Sequence, residues 1–550
     1  MKGFALLIFA LGSICVEAYI VNPGPKYVAT KGAVWPKPQE QELFETFFTI
    51  NPAAFKFVVD SSTCNILYNA VRRYEEIISN QRLSKLKKKQ SKHIVAAPDD
   101  DDRYLGQIDQ VQISLNEICD DTSYPAFQAD ESYSLNIAIE ESTITARTVW
   151  GVLRGLETFS QLLYTGEDGS STRVNATKIR DFPRFPVRGL LLDTSRHFIH
   201  LAQIYQLLDA MAYNKLNVFH WHIVDDQSFP YVSMKFPELR HAIGVFCFAE
   251  LGAYNSVEFV YAPDDIKAVI EYARQRGVRV IPEFDTPGHT RSWGVSHPEL
   301  LTPCDDIEEG SFGPMDPTKD STYSFIKELF SELRALFIDP FIHLGGDEVD
   351  FDCWELDASI SSFMTRENIR NYSGLEGYYI QKVIDIADEL NFNSIVWEEV
   401  FNNGVKLPNE TIVHVWRDWE GNYWNDTMRS VTKAGKKALL SACWYLDHLS
   451  TGGDWEKFYQ CEPTNFGGTP EQVSLLLGGE ACMWSEVVND YNVVQRIFPR
   501  ASAPAEKLWS AYDAAEPDLD EVARRLEEHV CRMNARGIPA QPPTAAGFCL

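Results

Sequence analysis

The chain has 550 residues, 45% hydrophobic and 12% aromatic, with a formal net charge of −28. This composition excludes a disordered chain and a single small core, and it requires a large barrel or more than one domain. The acidic balance supplies no basic face for nucleic acid; it favours solubility and fits an acidic compartment.

Residues 1–18 read as a signal peptide. Lys2 supplies positive charge, Phe4 to Ile14 is apolar, and Val16-Glu17-Ala18 has the form of a cleavage site. The run is short for a bilayer span, and no later segment is long and apolar enough to be a transmembrane segment. Sequons at Asn175, Asn371, Asn409 and Asn425 mark candidate glycosylation sites and agree with export. The expected location is therefore the secretory pathway, with a lysosomal and a secreted destination both open. Ten cysteines follow the signal, with no CxxC pair and no Cys/His zinc spacing, so disulfides are expected and a metal is not. Cys531 and Cys549 are placed to staple the C-terminal tail.

Residues 19–180 read as a small α/β domain. Val34 to Pro38 is extended, Phe55–Val59, Val111–Leu115 and Leu135–Ile139 read as strands, and Thr148–Leu163 has helical apolar spacing. Inside it, Lys85 to Asp102 passes from a basic cluster to four aspartates and reads as a solvated loop. Asp181-Phe-Pro-Arg-Phe-Pro186 is a proline-punctuated junction.

Residues 181–550 carry a different rhythm. Short apolar runs recur at Val187–Asp193, Asn217–Asp225, Val278–Asp285, Phe341–Glu348, Ser394–Glu399, Thr411–Trp416, Ala438–Trp444 and Leu475–Trp484. Helical segments at Leu201–Tyr213, Pro263–Gly277 and Tyr378–Leu390 fill several gaps. Continuous apolar strands are buried on both faces, and eight of them with helical crossovers read as a (β/α)8 TIM barrel. A doubly wound sheet is the alternative, but no Gly-rich dinucleotide loop supports it.

A barrel places its chemistry at the C-terminal ends of its strands. Those ends carry Asp193 with Arg196, His222 with Asp225, Asp285 with His289, Asp347 with Glu348, Trp397, Trp416, Trp444 with Tyr445 and Asp447, and Trp484 with Glu486. Carboxylates, one Arg, one His and several Trp suit a sugar, whose hydroxyls pair with charged groups and whose C–H faces stack on rings. No cofactor fingerprint competes, so none is expected. The sharpest string is Phe341-Ile-His-Leu-Gly-Gly-Asp-Glu-Val-Asp350, an apolar run ending in two glycines and two adjacent carboxylates. Neighbours on a regular strand point to opposite faces. Both reach one pocket only where the strand is ending, and they are badly placed to flank a bond from two sides. A substrate N-acetyl group could then supply the nucleophile; Asp225 as a protein nucleophile is the other option, and a non-catalytic glycan-binding protein on the same fold is a third.

Several ordered motifs extend this reading: Arg188-Gly-Leu-Leu-Leu-Asp-Thr-Ser-Arg-His197, Trp221-His-Ile-Val-Asp-Asp-Gln-Ser-Phe-Pro230, Pro282-Glu-Phe-Asp-Thr-Pro-Gly-His289, Gly345-Gly-Asp-Glu-Val349, Trp397-Glu-Glu399, Cys443-Trp-Tyr-Leu-Asp447 and Gly478-Gly-Glu-Ala-Cys-Met-Trp-Ser-Glu486. On these the chain resembles the family 20 β-N-acetylhexosaminidases of the animal lysosomal type, over nearly everything after the signal; that family is a substrate-assisted exception among glycosidases. The resemblance implies Glu348 as general acid and then base, Asp347 as the residue orienting the acetamido group, and Tyr445 as donor to its carbonyl. It implies Trp397, Trp416 and Trp484 as pocket walls, and Arg196 and Glu486 as ligands of the ring hydroxyls. Asp225 and His289 support the acid, while His220 and His222 are left as core residues. Asp447 and His448 stand where an anion-accepting subunit carries Asn-Arg, so the chain looks like the beta-type, neutral-substrate subunit. The family pattern also implies disulfides Cys64–Cys119, Cys304–Cys353 and Cys531–Cys549, with Cys443 and Cys461 candidates to pair and Cys482 a buried thiol. The expected partners are N-acetylhexosamine-terminated glycans, glycolipids or chitooligosaccharides, and a second copy in a homodimer.

Overall fold

The computed structural model describes residues 30–60, 64–80, 101–240, 258–304, 310–448, 452–511 and 517–543. The leader at 1–18, residues 85–100 of the charged loop, Cys247 and Cys549 lie outside the described residues.

The N-terminal region is an eight-stranded mixed sheet. Its strands at Lys56–Val59, Gln110–Leu115 and Tyr133–Ile137 lie close to the expected ones. Two long strands, Glu40–Ile50 and Thr172–Asp181, were not expected. They pair antiparallel, with Phe48 opposite Val174. Polar residues crowd both strands, so neither shows a period-2 apolar signal, and pairing decides them instead. Helices Asn65–Asn80 and Val149–Gln161 pack on the sheet, burying Ile66, Leu67, Ala70, Val152, Leu156 and Phe159 in one apolar cluster. Thr148 caps the second helix by accepting from the Gly151 N–H.

Eight parallel strands then close into a barrel. They are β1 (Val187–Asp193), β2 (Val218–Val224), β3 (Arg279–Phe284), β4 (Phe341–His343), β5 (Asn393–Trp397), β6 (Ile412–Val415), β7 (Lys437–Leu440) and β8 (Leu476–Met483), with β8 pairing β1. One apolar residue from each strand (Val187, Val218, Ile281, Phe341, Ile395, Ile412, Leu439 and Leu477) forms a closed layer. Above it the interior turns polar, with His220, Glu283, His343, His414 and Glu480 all buried. Helices Leu201–Tyr213 and Pro263–Arg274 turn apolar stripes (Ile204, Leu207, Leu208, Met211; Ile266, Val269, Ile270) onto the barrel.

Charged groups bond the sheet to the barrel. Glu131 accepts from Arg154 Nε and Arg188 Nη2, each at 2.7 Å, and from Asn217 Nδ2 at 3.0 Å. Asp181 accepts from Lys215 Nζ at 2.8 Å, Tyr133 OH at 2.7 Å and Trp509 Nε1 at 2.9 Å.

Three disulfides are described: Cys64–Cys119, Cys304–Cys353 and Cys443–Cys461. Cys531 is itself disulfide-bonded, and Cys482 is a buried free thiol. Among the sequon residues, Asn371 and Asn409 are exposed and Asn425 is half-buried. Asn175 is 5% exposed, with its Nδ2 donating to the Phe44 carbonyl, which leaves it the least room for a sugar. Among the described residues no helix is long and apolar enough to cross a membrane.

Candidate active site

The C-terminal ends of the strands converge on one rim. At the end of β1, Asp193 Oδ1 accepts the N–H groups of Ser195 and Arg196 at 2.8 and 3.2 Å. Its other oxygen takes Arg196 Nη1 at 3.3 Å and the Ser485 N–H at 3.0 Å, tying β1 to the loop after β8. Arg196 also reaches Asp225 Oδ2 at 2.9 Å, and its guanidinium lies 5.1 Å over the Trp484 ring. Its Nε is buried with no partner.

Asp225, just past β2, is answered on both oxygens. Oδ2 takes His222 Nε2 at 2.7 Å and Arg196; Oδ1 takes His289 Nδ1 at 3.2 Å and the Asp226 N–H at 2.5 Å. Burial opposes its charge, but His222 and His289 overcome this and hold its carboxyl far below the usual range. Against their own burial, Glu283 and Asp225 raise His222 to about 10, and Asp225 and Asp347 raise His289 to about 9. His222 Nδ1 meets Glu283 Oε2 at 2.7 Å, and Glu283 Oε1 accepts Trp397 Nε1 at 2.9 Å. His222 therefore links the rim to the polar interior, a larger part than a core histidine. The signal was present: His220 and His222 share the inward face of β2, and two buried imidazoles there require carboxylate partners.

β4 is short for a reason. It stops at His343, and Gly345 and Gly346 take φ of +68° and +90°. A Cβ on Gly345 would lie 1.7 Å from Asp285 Oδ1, so only glycine fits. Glu348 follows in the left-handed region at φ +49°. This turn overrides strand alternation and brings both carboxylates to one imidazole: His289 Nε2 is 3.9 Å from Asp347 Oδ2 and 3.8 Å from Glu348 Oε2. The Glu348 side chain is 59% exposed, so only partial desolvation of its carboxyl, together with the neighbouring Asp347, raises it, with His289 and Arg196 opposing. A non-glycine residue held in the left-handed region is a place where a fold stores strain.

The aromatic groups divide into floor and wall. Trp397 is 1% exposed, clustered with Leu191 and Cys482 and stacked on His414 at 4.4 Å, so it is a floor and not an open wall. Trp416 and Trp484 are half-buried beside it, at ring distances of 6.5 and 6.2 Å. Trp416 stacks with Tyr445 at 6.0 Å and donates Nε1 to Glu399 Oε2 at 3.0 Å. Burial drives the Glu399 carboxyl up to about 8, helped by Asp347. Trp444, expected at the rim, is fully buried and donates to the Phe458 carbonyl at 3.1 Å; it is core. Tyr445 is held because Leu446 N–H bonds the Cys482 carbonyl at 2.8 Å and Cys482 N–H bonds that of Trp444 at 3.0 Å. The Cys443–Cys461 bond anchors this segment. Asp447 has a buried oxygen without a partner, and burial raises its carboxyl to about 6. Glu486 is exposed at the outer edge.

Beneath the floor, donor atoms of His220, His414 and Glu480, and of His220, Glu283 and His343, lie within 4.8 Å of one another. His220 and His343 already pair with carboxylates, at 2.8 Å to Glu480 and at 3.0 and 3.2 Å to Glu283.

A (β/α)8 barrel with paired carboxylates, a fixed Arg and indoles at its C-terminal rim defines a glycoside hydrolase. Residues 185–512 match the catalytic domain of glycosyl hydrolase family 20, and residues 34–162 match a family described as beta-acetyl hexosaminidase like. The chain belongs to glycosyl hydrolase family 20. It is 44% identical to the beta-hexosaminidase subunit alpha of Mus musculus, over 94% of this chain and 95% of that one. It is 50% identical to the beta-hexosaminidase subunit beta of Homo sapiens, over 80% of this chain and 76% of the relative. A chitobiase structure from Flavobacterium johnsoniae superposes with a TM-score of 0.78 at 28% identity, covering 93% of this chain and 74% of that one.

Proposed function

We propose that this chain is an exo-acting β-N-acetylhexosaminidase that releases terminal GlcNAc or GalNAc with retention, using the substrate's own acetamido group as nucleophile. The observation that carries this is the turn after β4, which turns Asp347 and Glu348 toward one imidazole with the Glu348 carboxyl raised. Glu348 protonates the leaving oxygen and then activates water. Asp347 orients the acetamido N–H and offsets the positive charge of the cyclised intermediate. Tyr445 donates to the acetamido carbonyl and aims it at the anomeric carbon. Trp416 and Trp484 flank the sugar above the Trp397 floor, while Arg196 and Glu486 take its hydroxyls.

Asp225 is not a nucleophile in this reading. Its four neighbours at 2.5–3.2 Å leave no lone pair free to attack. It positions His289, which in turn faces the acid.

Finer properties follow from the rim. Asp447 repels sulfate or sialic acid while it is ionised, and that repulsion fades below about pH 6. The chain is therefore a neutral-substrate enzyme at neutral pH. Chitooligosaccharides, glycolipids and glycoprotein glycans all end in the recognised sugar. Val487 and Tyr491, exposed in the segment that follows Glu486, give apolar surface for a homodimer near this rim, which light scattering would check. A secretory-pathway location, lysosomal or secreted, follows from the leader and sequons.

The deciding experiment compares chromogenic β-GlcNAc and β-Glc substrates on the wild type and Glu348→Gln. Hydrolysis of the N-acetyl sugar alone, lost in the variant, supports the mechanism. Equal hydrolysis of the plain glucoside would sink it.

A further inference from the structure

Asp285 follows β3 and has no part in the roles above. It is 1% exposed, and its Oδ1 accepts the Gly346 N–H at 2.8 Å. The close approach of Gly345 to the same oxygen wedges Asp285 under the turn that carries Asp347. Its carboxyl faces that of Asp347. Asp347 Oδ1, in turn, is buried and receives no hydrogen bond from any N–H or hydroxyl group.

Two buried carboxylates with oxygens within 4.8 Å of each other resist being ionised together, because repulsion and lost hydration act together. One proton between them removes the repulsion and gives the orphaned oxygen a donor. The surroundings decide which partner holds it. The titratable groups facing Asp285 are Glu283 on its own strand, Asp347 from the β4 turn, His289 from the loop after β3, and Tyr379 from helix Tyr372–Glu389. Asp347 lies on the pocket side, where it feels the cations of Arg196 and His289. Burial, followed by Asp347 and Glu283, pushes the Asp285 carboxyl well above the usual range.

We propose that Asp285 is a positioning residue that stays protonated at working pH and donates its O–H to Asp347 Oδ1. The bond leaves the Asp347 charge on the oxygen that meets the acetamido N–H, and it fixes the carboxylate plane before substrate arrives. The inference rests on the proposed role of Asp347.

Asparagine tests the charge state because it copies a protonated aspartate: its oxygen accepts from Gly346 and its Nδ2 donates to Asp347. Asp285→Asn is expected to keep kcat on a β-GlcNAc substrate within about threefold. Asp285→Ala removes both bonds and is expected to cost about 10²-fold, as a misplaced catalytic group does. Thermal stability gives a second readout. A carboxyl raised in the folded state is most favourable to folding below its unfolded value, and it loses stability as pH rises from there towards its folded value. The melting temperature of Asp285→Asn relative to wild type should therefore climb from about pH 4 to pH 7. An Asn variant as inactive as the Ala variant would overturn the proposal, as would a melting gap that ignores pH. Loss of stability on treatment with a chelator would also overturn it, since a cation would then sit where the proton is placed. If the protein hydrolyses no N-acetyl sugar at all, the functional reading fails, while the pH-dependent melting gap still decides the charge state of Asp285.

Discussion

Two buried charged networks in this molecule look alike in composition and differ in completeness. At the junction of sheet and barrel, Glu131 with Arg154 and Arg188, and Asp181 with Lys215, Tyr133 and Trp509, have every buried side-chain nitrogen and oxygen paired. At the rim, the network of Arg196, Asp193, Asp225 and His289 leaves Arg196 Nε and His289 Nε2 without a hydrogen bond, and nearby Asp447 Oδ1 is in the same condition. An unsatisfied buried polar group costs free energy, so the atoms left open at the rim gain most from a partner that binds there. The complete network joins sheet and barrel; the incomplete one lies where the proposed function places the sugar.

The comparison can be broken most sharply at the junction. Glu131→Ala leaves Arg154 and Arg188 buried and uncompensated, and is expected to cost about 3–5 kcal/mol of stability. Thermal unfolding measures this, and kcat of the remaining folded enzyme should be unchanged. The rim should behave in the opposite way. Glu348→Gln should lower kcat about 10³-fold with an unmoved melting temperature, since its side chain is largely exposed and its task is proton transfer. Tyr445→Phe removes one preorganised donor and should cost about 10²-fold in kcat, read from steady-state kinetics on a β-GlcNAc substrate.

Two smaller effects sharpen the electrostatics of the rim. Glu348 must be protonated to act as acid, so activity falls as pH rises through its raised value. Asp347→Asn removes a neighbouring anion that helps hold that proton. The alkaline limb of its residual activity should therefore move to lower pH; a limb moving upward would contradict the assignment. Asp447→Asn should raise kcat/KM for a sulfated N-acetylglucosaminide at neutral pH about fivefold, matching a Coulomb term of about 1 kcal/mol. The gain should shrink below about pH 6, where Asp447 is already protonated.

Much of this was legible in the chain. All eight barrel strands were readable because a strand buried on both faces is a continuous apolar run, which survives without knowledge of its neighbours. Residues at the ends of those runs could be named as rim groups for the same reason. The Glu40–Ile50 and Thr172–Asp181 strands were not readable, since their stability lies in each other. Trp444 and Trp397 were placed at the rim because an indole at a strand end suits a core and a sugar face equally well, and only packing separates them.

The sequence by itself determined the barrel, the order of its rim residues and the paired carboxylates after Gly346, because these are properties of local pattern and spacing. Only the tertiary structure decided which charges answer one another. His222 meeting Glu283, Asp225 saturated by three side chains, and Asp285 facing Asp347 each join different parts of the rim. The protonation state of a buried group is set by its neighbours in space, and no spacing along the chain records them.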